Sequence, residues 1–192
     1  FMVRVGLVGA TGYGGQELLR LRLMHPHAAV VSVTSTSVAG QPVSDTLPGF
    51  RKLVDLEFEP FDARALAAKC DAVFLGVPGT ESMGPGALLR GAGARVLDLG
   101  PDFRLKSAEL FVPYYKKPHT APDLLSESVY GLVPFYREAL GRAGLVAVPG
   151  CYPIGTLLPL RPIVESCELQ CPPVIDAVSG VSGAGKTLKE QF

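Results

Sequence analysis

The stretch Val3-Arg4-Val5-Gly6-Leu7-Val8, followed at once by Gly9-Ala10-Thr11-Gly12-Tyr13-Gly14-Gly15, constrains the fold of this chain more than any other. A short apolar run rich in β-branched residues predicts a parallel strand covered on both faces. Gln16 to Met24 continues as a helical segment, and the glycines at 9, 12 and 15 form a G-x-x-G-x-x-G turn between strand and helix. In such a unit the glycines turn the chain out of the strand, let the backbone approach a pyrophosphate, and pack the helix tightly on the sheet. The helix N-terminus supplies free N–H groups for phosphate. Gly9, Ala10, Thr11, Gly12, Tyr13 and Gly14 are therefore the first candidate cofactor-binding residues.

The pattern then repeats. Ala29 to Val33 reads as a second strand ending in Thr34-Ser35-Thr36-Ser37. An NAD site usually places a carboxylate here for the ribose hydroxyls, and that charge would repel a 2′-phosphate. Ser35, Thr36 and Ser37 instead offer hydroxyls, which favours NADP, although a plain polar turn competes with that reading. Gly40 to Lys52 reads as a loop, Leu56 to Phe61 as a strand, Ala63 to Lys69 as a helix, Ala72 to Val77 as a strand, Gly86 to Arg90 as part of a helix and Arg95 to Leu99 as a further strand. Alternating βα units of this kind predict an α/β, Rossmann-like doubly wound parallel sheet. Ligands then lie at the carboxyl ends of the strands, so Gly76 and Pro78, and the run from Gly100 to Arg104, are candidate walls of a cofactor cleft. Lys106 to Gly144 shows no clear elements and reads as a functional excursion.

A second focus is Pro149-Gly150-Cys151-Tyr152-Pro153, between the apolar run Leu145 to Val148 and a segment that reads as helical despite Pro159 and Pro162. A thiol at a helix N-terminus has its thiolate stabilised and is a candidate nucleophile; a small buried cap is the bland alternative. Val174 to Val178 reads as a strand, and Gly180 to Thr187 formally matches the phosphate-binding G-x-x-x-x-G-K-[ST] run, a rival pointing to a nucleotide triphosphatase. Only Leu188 to Phe192 follow, with no magnesium-binding Asp. With 192 residues, one domain plus part of another is expected: residues 1–149 as the nucleotide domain and 150–192 as the beginning of an incomplete catalytic and dimerisation domain. Lys and Arg total 18 against 18 Asp and Glu, so no net field favours nucleic acid or an anionic membrane. No apolar run reaches the ~20 residues of a bilayer span, and a soluble cytoplasmic protein is expected. Cys70, Cys151, Cys167 and Cys171 lack zinc-site spacing, so no metal is expected.

Five runs stand in a telling order. They are Gly9 to Gly15; Asp98-Leu99-Gly100-Pro101-Asp102-Phe103-Arg104-Leu105; Val129-Tyr130-Gly131-Leu132; Pro149 to Pro153; and Ser179-Gly180-Val181-Ser182-Gly183-Ala184-Gly185. Together they resemble the N-acetyl-gamma-glutamyl-phosphate reductase family, relatives of the aspartate-semialdehyde and glyceraldehyde-phosphate dehydrogenases. The resemblance implies that Cys151 attacks an acyl phosphate, expels phosphate and forms a thioester, which NADPH reduces to a semialdehyde in arginine biosynthesis. It also implies that Arg104, Ser179, Gly180, Ser182 and Gly183 meet the small-molecule acyl-phosphate substrate, which makes the Gly-Lys-Thr match a coincidence.

The chain departs from the family pattern at three places: Val77-Pro78-Gly79-Thr80 replaces Leu-Pro-His-Gly, Pro134 stands in place of a glutamate, and Ile154 stands in place of a threonine. Family members continue through a domain carrying the general acid–base histidine and much of a homo-oligomer interface. The chain thus reads as an N-terminal fragment, with His25, His27 and His119 as solvated surface residues. An aminoadipyl-phosphate reductase of lysine biosynthesis and a catalytically silent NADP-binding module remain the alternatives.

Overall fold

The computed structural model describes residues 1–167, 169 and 171–185. Its centre is a seven-stranded sheet, every pairing parallel, in the order β3-β2-β1-β4-β5-β7-β6. The strands are β1 (Val3–Val8), β2 (Ala28–Thr34), β3 (Phe58–Glu59), β4 (Ala72–Leu75), β5 (Val96–Asp98), β6 (Ser128–Tyr130) and β7 (Leu145–Ala147). The helices are α1 (Tyr13–Leu23), α2 (Val43–Thr46), α3 (Ala63–Lys69), α4 (Met83–Gly91), α5 (Ala108–Tyr115), α6 (Asp123–Glu127), α7 (Val133–Arg142) and α8 (Cys151–Ser166).

The period of two along each strand sorts the core into two layers. Val5 and Leu7 of β1 pack with Ala10, Leu19, Val33, Val43, Phe50 and Phe58 on one face. Val8 packs with Leu66, Val73, Leu75, Leu89, Val96, Phe103, Leu125 and Leu145 on the other. Gly6 sits between, and any Cβ there would lie 2.9 Å from Cys70 Sγ, so glycine lets α3 approach the sheet. The strand order reverses between β1 and β4, which puts the turn after β1 at the topological switch point, where open α/β sheets bind ligands.

The doubly wound expectation holds, with three local differences. The strand expected over 56–61 is only two residues, Phe58–Glu59. Its outer edge is occupied by the preceding loop, Gly40 N–H donating to Phe58 O and Phe58 N–H to Gln41 O. The stretch from Lys106 to Gly144 is structured, holding α5, α6, β6 and α7. These pieces are short and proline-punctuated, with Pro113 inside α5 and Pro134 in the first turn of α7, where its missing N–H costs nothing. They leave too little periodicity to read. Val174 to Val178 forms no strand: the run has no regular structure and no ladder partners among the described residues, and Val174 and Val178 are almost fully exposed.

The chain divides into two compact units, Phe1–Val148 and Pro149–Phe192. The sheet with its two core layers is the first. The second, where described, consists of α8, a run without regular structure and a short 3-10 turn at Val181–Ala184. Among the described residues no helix is long and apolar enough to cross a membrane.

Candidate functional site

The glycine-rich turn has the form its sequence demands. Gly9 adopts φ +77°, and a Cβ there would collide with the backbone carbonyl of Gly76 at the end of β4. A Cβ on Gly15 would come within 2.5 Å of Ala10 Cα, so this glycine seats α1 on the turn. Gly12 and Gly14 are different: beside Gly12 a Cβ would meet only Gly9 O at 3.7 Å, and beside Gly14 nothing within 4 Å. The space beside these two is open, on the side a phosphate would approach. Gly12 caps α1 with no side-chain hydrogen bond, and no acidic residue stands in the first turn. The N–H groups of Tyr13, Gly14 and Gly15 therefore have no intrahelical acceptor, and the helix dipole adds positive potential. Gln16 Nε2 donates to Thr11 O at 2.9 Å and shapes the turn. These residues fit a dinucleotide pyrophosphate.

At the end of β2, the Ser35 and Ser37 hydroxyls lie 3.3 Å apart, with Ser35 buried and Thr36 and Ser37 exposed. A carboxylate from another strand is engaged with Ser32, inside β2 and short of the Ser35–Ser37 turn. Glu59 of β3 pairs in register with Thr34 and accepts from Ser32 Oγ at 3.0 Å and Lys69 Nζ at 2.8 Å. Its acidity is strengthened chiefly by the Lys69 contact. Only the register of a two-residue strand reveals it, so linear inspection misses it.

The loops after β4 and β5 meet through buried carboxylates. Asp102 Oδ1 accepts the Thr80 N–H at 3.0 Å and Oδ2 the Ser82 N–H at 2.7 Å, and the side chain is fully buried. Asp98, also fully buried, accepts the Gly100 N–H at 3.0 Å through Oδ1, while Oδ2 has no hydrogen-bond partner. Burial pushes the Asp98 carboxyl up to about 6, the Asp102 charge adding to that while Ser82, the Gly100 N–H and Arg104 oppose it. His119, expected at the surface, is only 8% exposed. Its Nε2 lies 2.9 Å from Asp102 O, and its Nδ1 accepts the Ala121 N–H at 3.2 Å. Its ring packs edge-on against Phe103 and Phe111, a tertiary contact that the polar, proline-flanked sequence gives no sign of.

Arg104 donates through Nε to Val148 O at 2.8 Å and through Nη2 to Leu99 O at 2.9 Å. Val148 N–H in turn donates to Asp98 O, so the last residue of the first unit is held on both sides. Two of the three guanidinium nitrogens are thus engaged by backbone, and Nη1 has no protein partner among the described residues.

In the second unit, Cys151 is the first residue of α8, after an extended Gly150 cap with no side-chain bond, and the thiol residue is exposed. The N–H groups of Cys151 and Tyr152 have no intrahelical acceptor, and Pro153 has no N–H. One wall of an open groove of about 450 Å³ is formed by Cys151, Thr156, Pro159 and Ile163, the other by Pro173 to Val178. Ser179, Gly180, Ser182 and Gly183 lie directly beyond that wall, around the 3-10 turn, and do not line the groove. Lys186 and Thr187 of the phosphate-loop match lie outside the described residues, and among the described residues no strand immediately precedes the match. No group of His, Cys, Asp or Glu suited to a metal ion occurs among the described residues.

The parallel order, the switch point and the open glycine turn define a Rossmann-like dinucleotide-binding domain. The family profile "Semialdehyde dehydrogenase, NAD binding domain" matches residues 4–143, and "Semialdehyde dehydrogenase, dimerisation domain" matches 151–192. The chain belongs to the semialdehyde dehydrogenase family. It is 45% identical over 188 residues to an N-acetyl-gamma-glutamyl-phosphate reductase of Bordetella bronchiseptica, an alignment covering 96% of this chain and 52% of the relative. With that of Pseudomonas aeruginosa it shares 47% identity over 190 residues, 98% of this chain and 55% of the relative. The chain thus spans about half the length of the curated relatives it matches. Among solved structures, aspartate semialdehyde dehydrogenase with NADP from Candida albicans superposes with a TM-score of 0.63 at 18% identity, over 86% of this chain and 48% of that one. The enzyme from Vibrio cholerae gives 0.58 at 18% identity, over 86% and 48%. These two likenesses bear on the fold.

Proposed function

We propose that this chain supplies the NADPH site and the nucleophile of an N-acetyl-gamma-glutamyl-phosphate reductase. Residues 1–149 form the NADP-binding domain and 150–192 open the catalytic and dimerisation domain of a homo-oligomer. The observation that carries the reading is the pairing, in one chain, of an open glycine turn at a helix N-terminus with an exposed cysteine as the first residue of a second helix. The 45–47% identity to reductases of that name supports the substrate.

The residues divide the work. The turn from Gly9 to Gly14 holds the pyrophosphate through backbone N–H groups, Ser35, Thr36 and Ser37 donate to the 2′-phosphate, and Gly76 and Pro78 wall the cleft. The Cys151 thiolate attacks the acyl carbon; the carbon–oxygen bond to phosphate breaks, phosphate leaves with its electron pair, and a thioester remains. Bound NADPH supplies a hydride to the thioester carbon. Cys151 then leaves as thiolate when the aldehyde forms, which a thiol does far more readily than an alcohol. Arg104, whose Nη1 has no partner among the described residues, and Ser179, Gly180, Ser182 and Gly183 orient the acyl phosphate.

The test is Cys151→Ser, assayed in reverse as NADPH formation from the semialdehyde and phosphate. NADPH affinity should stay within about twofold while turnover falls by at least ~10³. Retention of a tenth of the activity would overturn the covalent route.

A further inference from the structure

We propose that Asp102 is a positioning residue for the dinucleotide, holding the loop 76–82 in the shape the cofactor meets. The inference rests on the NADPH reading above and adds a residue to which that reading gives no role.

The loop is fixed at both ends. At its start, Gly76 N–H donates to Val8 O at 2.8 Å, and its carbonyl lies against Gly9, so the loop departs directly from the glycine turn. At its far end Thr80 has φ +70°, the left-handed region, where a β-branched residue is a steric outlier. Such a conformation persists only where surroundings over-determine it. Here the carboxylate does so: its two oxygens take the N–H groups on either side of Glu81, one oxygen to each donor. Lys117 Nζ adds a bond to Thr80 Oγ1 at 3.0 Å. Between the fixed ends, Gly79 packs beside Pro101, where a Cβ would lie 3.4 Å from the proline ring.

Asp102 is itself anchored. Because His119 Nδ1 accepts the Ala121 N–H, the ring proton sits on Nε2 and is donated to Asp102 O. The carboxylate thus transmits the rigidity of the 98–104 loop and the 116–121 segment to the wall of the cleft. The contact also explains how a threonine is held in the left-handed region at position 80.

The experiment compares wild type, Asp102→Asn, Thr80→Gly and the double variant by two measurements. One is NADPH titration by fluorescence; the other is amide hydrogen exchange at Thr80 and Ser82 without cofactor. Asn presents an NH2 to one of the two N–H donors, so protection at those amides should fall at least ~10-fold and the NADPH Kd should rise about tenfold. Thr80→Gly, which removes the residue the clamp must hold in the left-handed region, should bind NADPH more tightly than Asp102→Asn. Because glycine occupies the left-handed region freely, the double variant should recover to within about threefold of wild type. An unchanged Kd in Asp102→Asn, unprotected amides in wild type, or a double variant no better than Asp102→Asn would each overturn the proposal. If Asp102→Asn does not fold, the double variant, which must fold and bind, decides. Failure of wild type to take up NADPH would overturn the cofactor reading, while the exchange data report separately on the clamp.

Discussion

Replacing Asp98 by asparagine should stabilise this protein at neutral pH and not in acid. Asp98 is fully buried, with one oxygen on the Gly100 N–H and the other without a partner. Ser82 Oγ, also buried, faces the same carboxylate without a well-formed hydrogen bond, though near enough to hold the Asp98 pKa down somewhat; a Cβ on Gly100 would be 2.6 Å from it and 3.4 Å from Asp98 Oδ2. Burial raises the carboxyl from 3.8 to about 6, which corresponds to ~3 kcal/mol of destabilisation once the group ionises in the folded state. Because the folded state holds its proton more tightly than the unfolded one, this contribution lowers stability as pH rises from about 4 through 6, and the full cost is present above 7. Asparagine keeps the acceptor for Gly100 and gains an NH2 that can donate to Ser82 Oγ. The gain over wild type should be 2–3 kcal/mol at about pH 7.5, or roughly 5–10 °C in Tm for a unit of this size, and should vanish near pH 4. Urea unfolding of both proteins at several pH values measures it, and taking the difference between them cancels the groups they share. A difference that is flat with pH, or that favours aspartate at neutral pH, would show that Asp98 carries no desolvation cost.

Three other outcomes are expected. Gly15→Ala should destabilise by about 1–3 kcal/mol, because its methyl meets the Ala10 backbone, whereas Gly14→Ala should raise stability by ~0.5–1 kcal/mol through helix propensity; thermal unfolding of the two variants compares them directly. Cys151 should react with iodoacetamide faster than Cys167 or Cys171, all three being exposed but only Cys151 opening a helix; time-resolved mass mapping reads this, and equal rates would argue against activation. The Arg4–Asp71 ion pair, at 2.8 Å but half exposed on the Arg side, should yield a coupling of no more than about 1 kcal/mol in a double-mutant cycle.

Where the sequence was legible, one periodicity governed a whole element. The β1 run, the glycine turn and the Ala63–Lys69 helix stand where their residues place them, because strand burial, positive φ and helix capping are local requirements. Cys151 likewise opens its helix as Pro149-Gly150 suggests. Legibility ended where tertiary partners decide. Glu59 meets Ser32 of β2 only through register, His119 is buried only because Phe103 and Phe111 close on it, and Asp102 acts through backbone N–H groups about 20 residues away. Val174 to Val178 has the residues of a strand but no neighbour to pair with among the described residues, and β propensity is largely a preference for such neighbours.

The loop that covers β3 limits how copies of this chain associate. Phe58 has both of its outward backbone groups taken by Gly40 and Gln41, and the next residue, Pro42, has no N–H to offer a further strand. The sheet therefore cannot be lengthened across this edge by a second copy, a route that open parallel sheets otherwise leave exposed to domain exchange and fibre growth. Association at this edge must use side-chain surfaces, and its strength will follow apolar area and shape fit instead of backbone pairing. A partner that depends on strand addition has no template at β3.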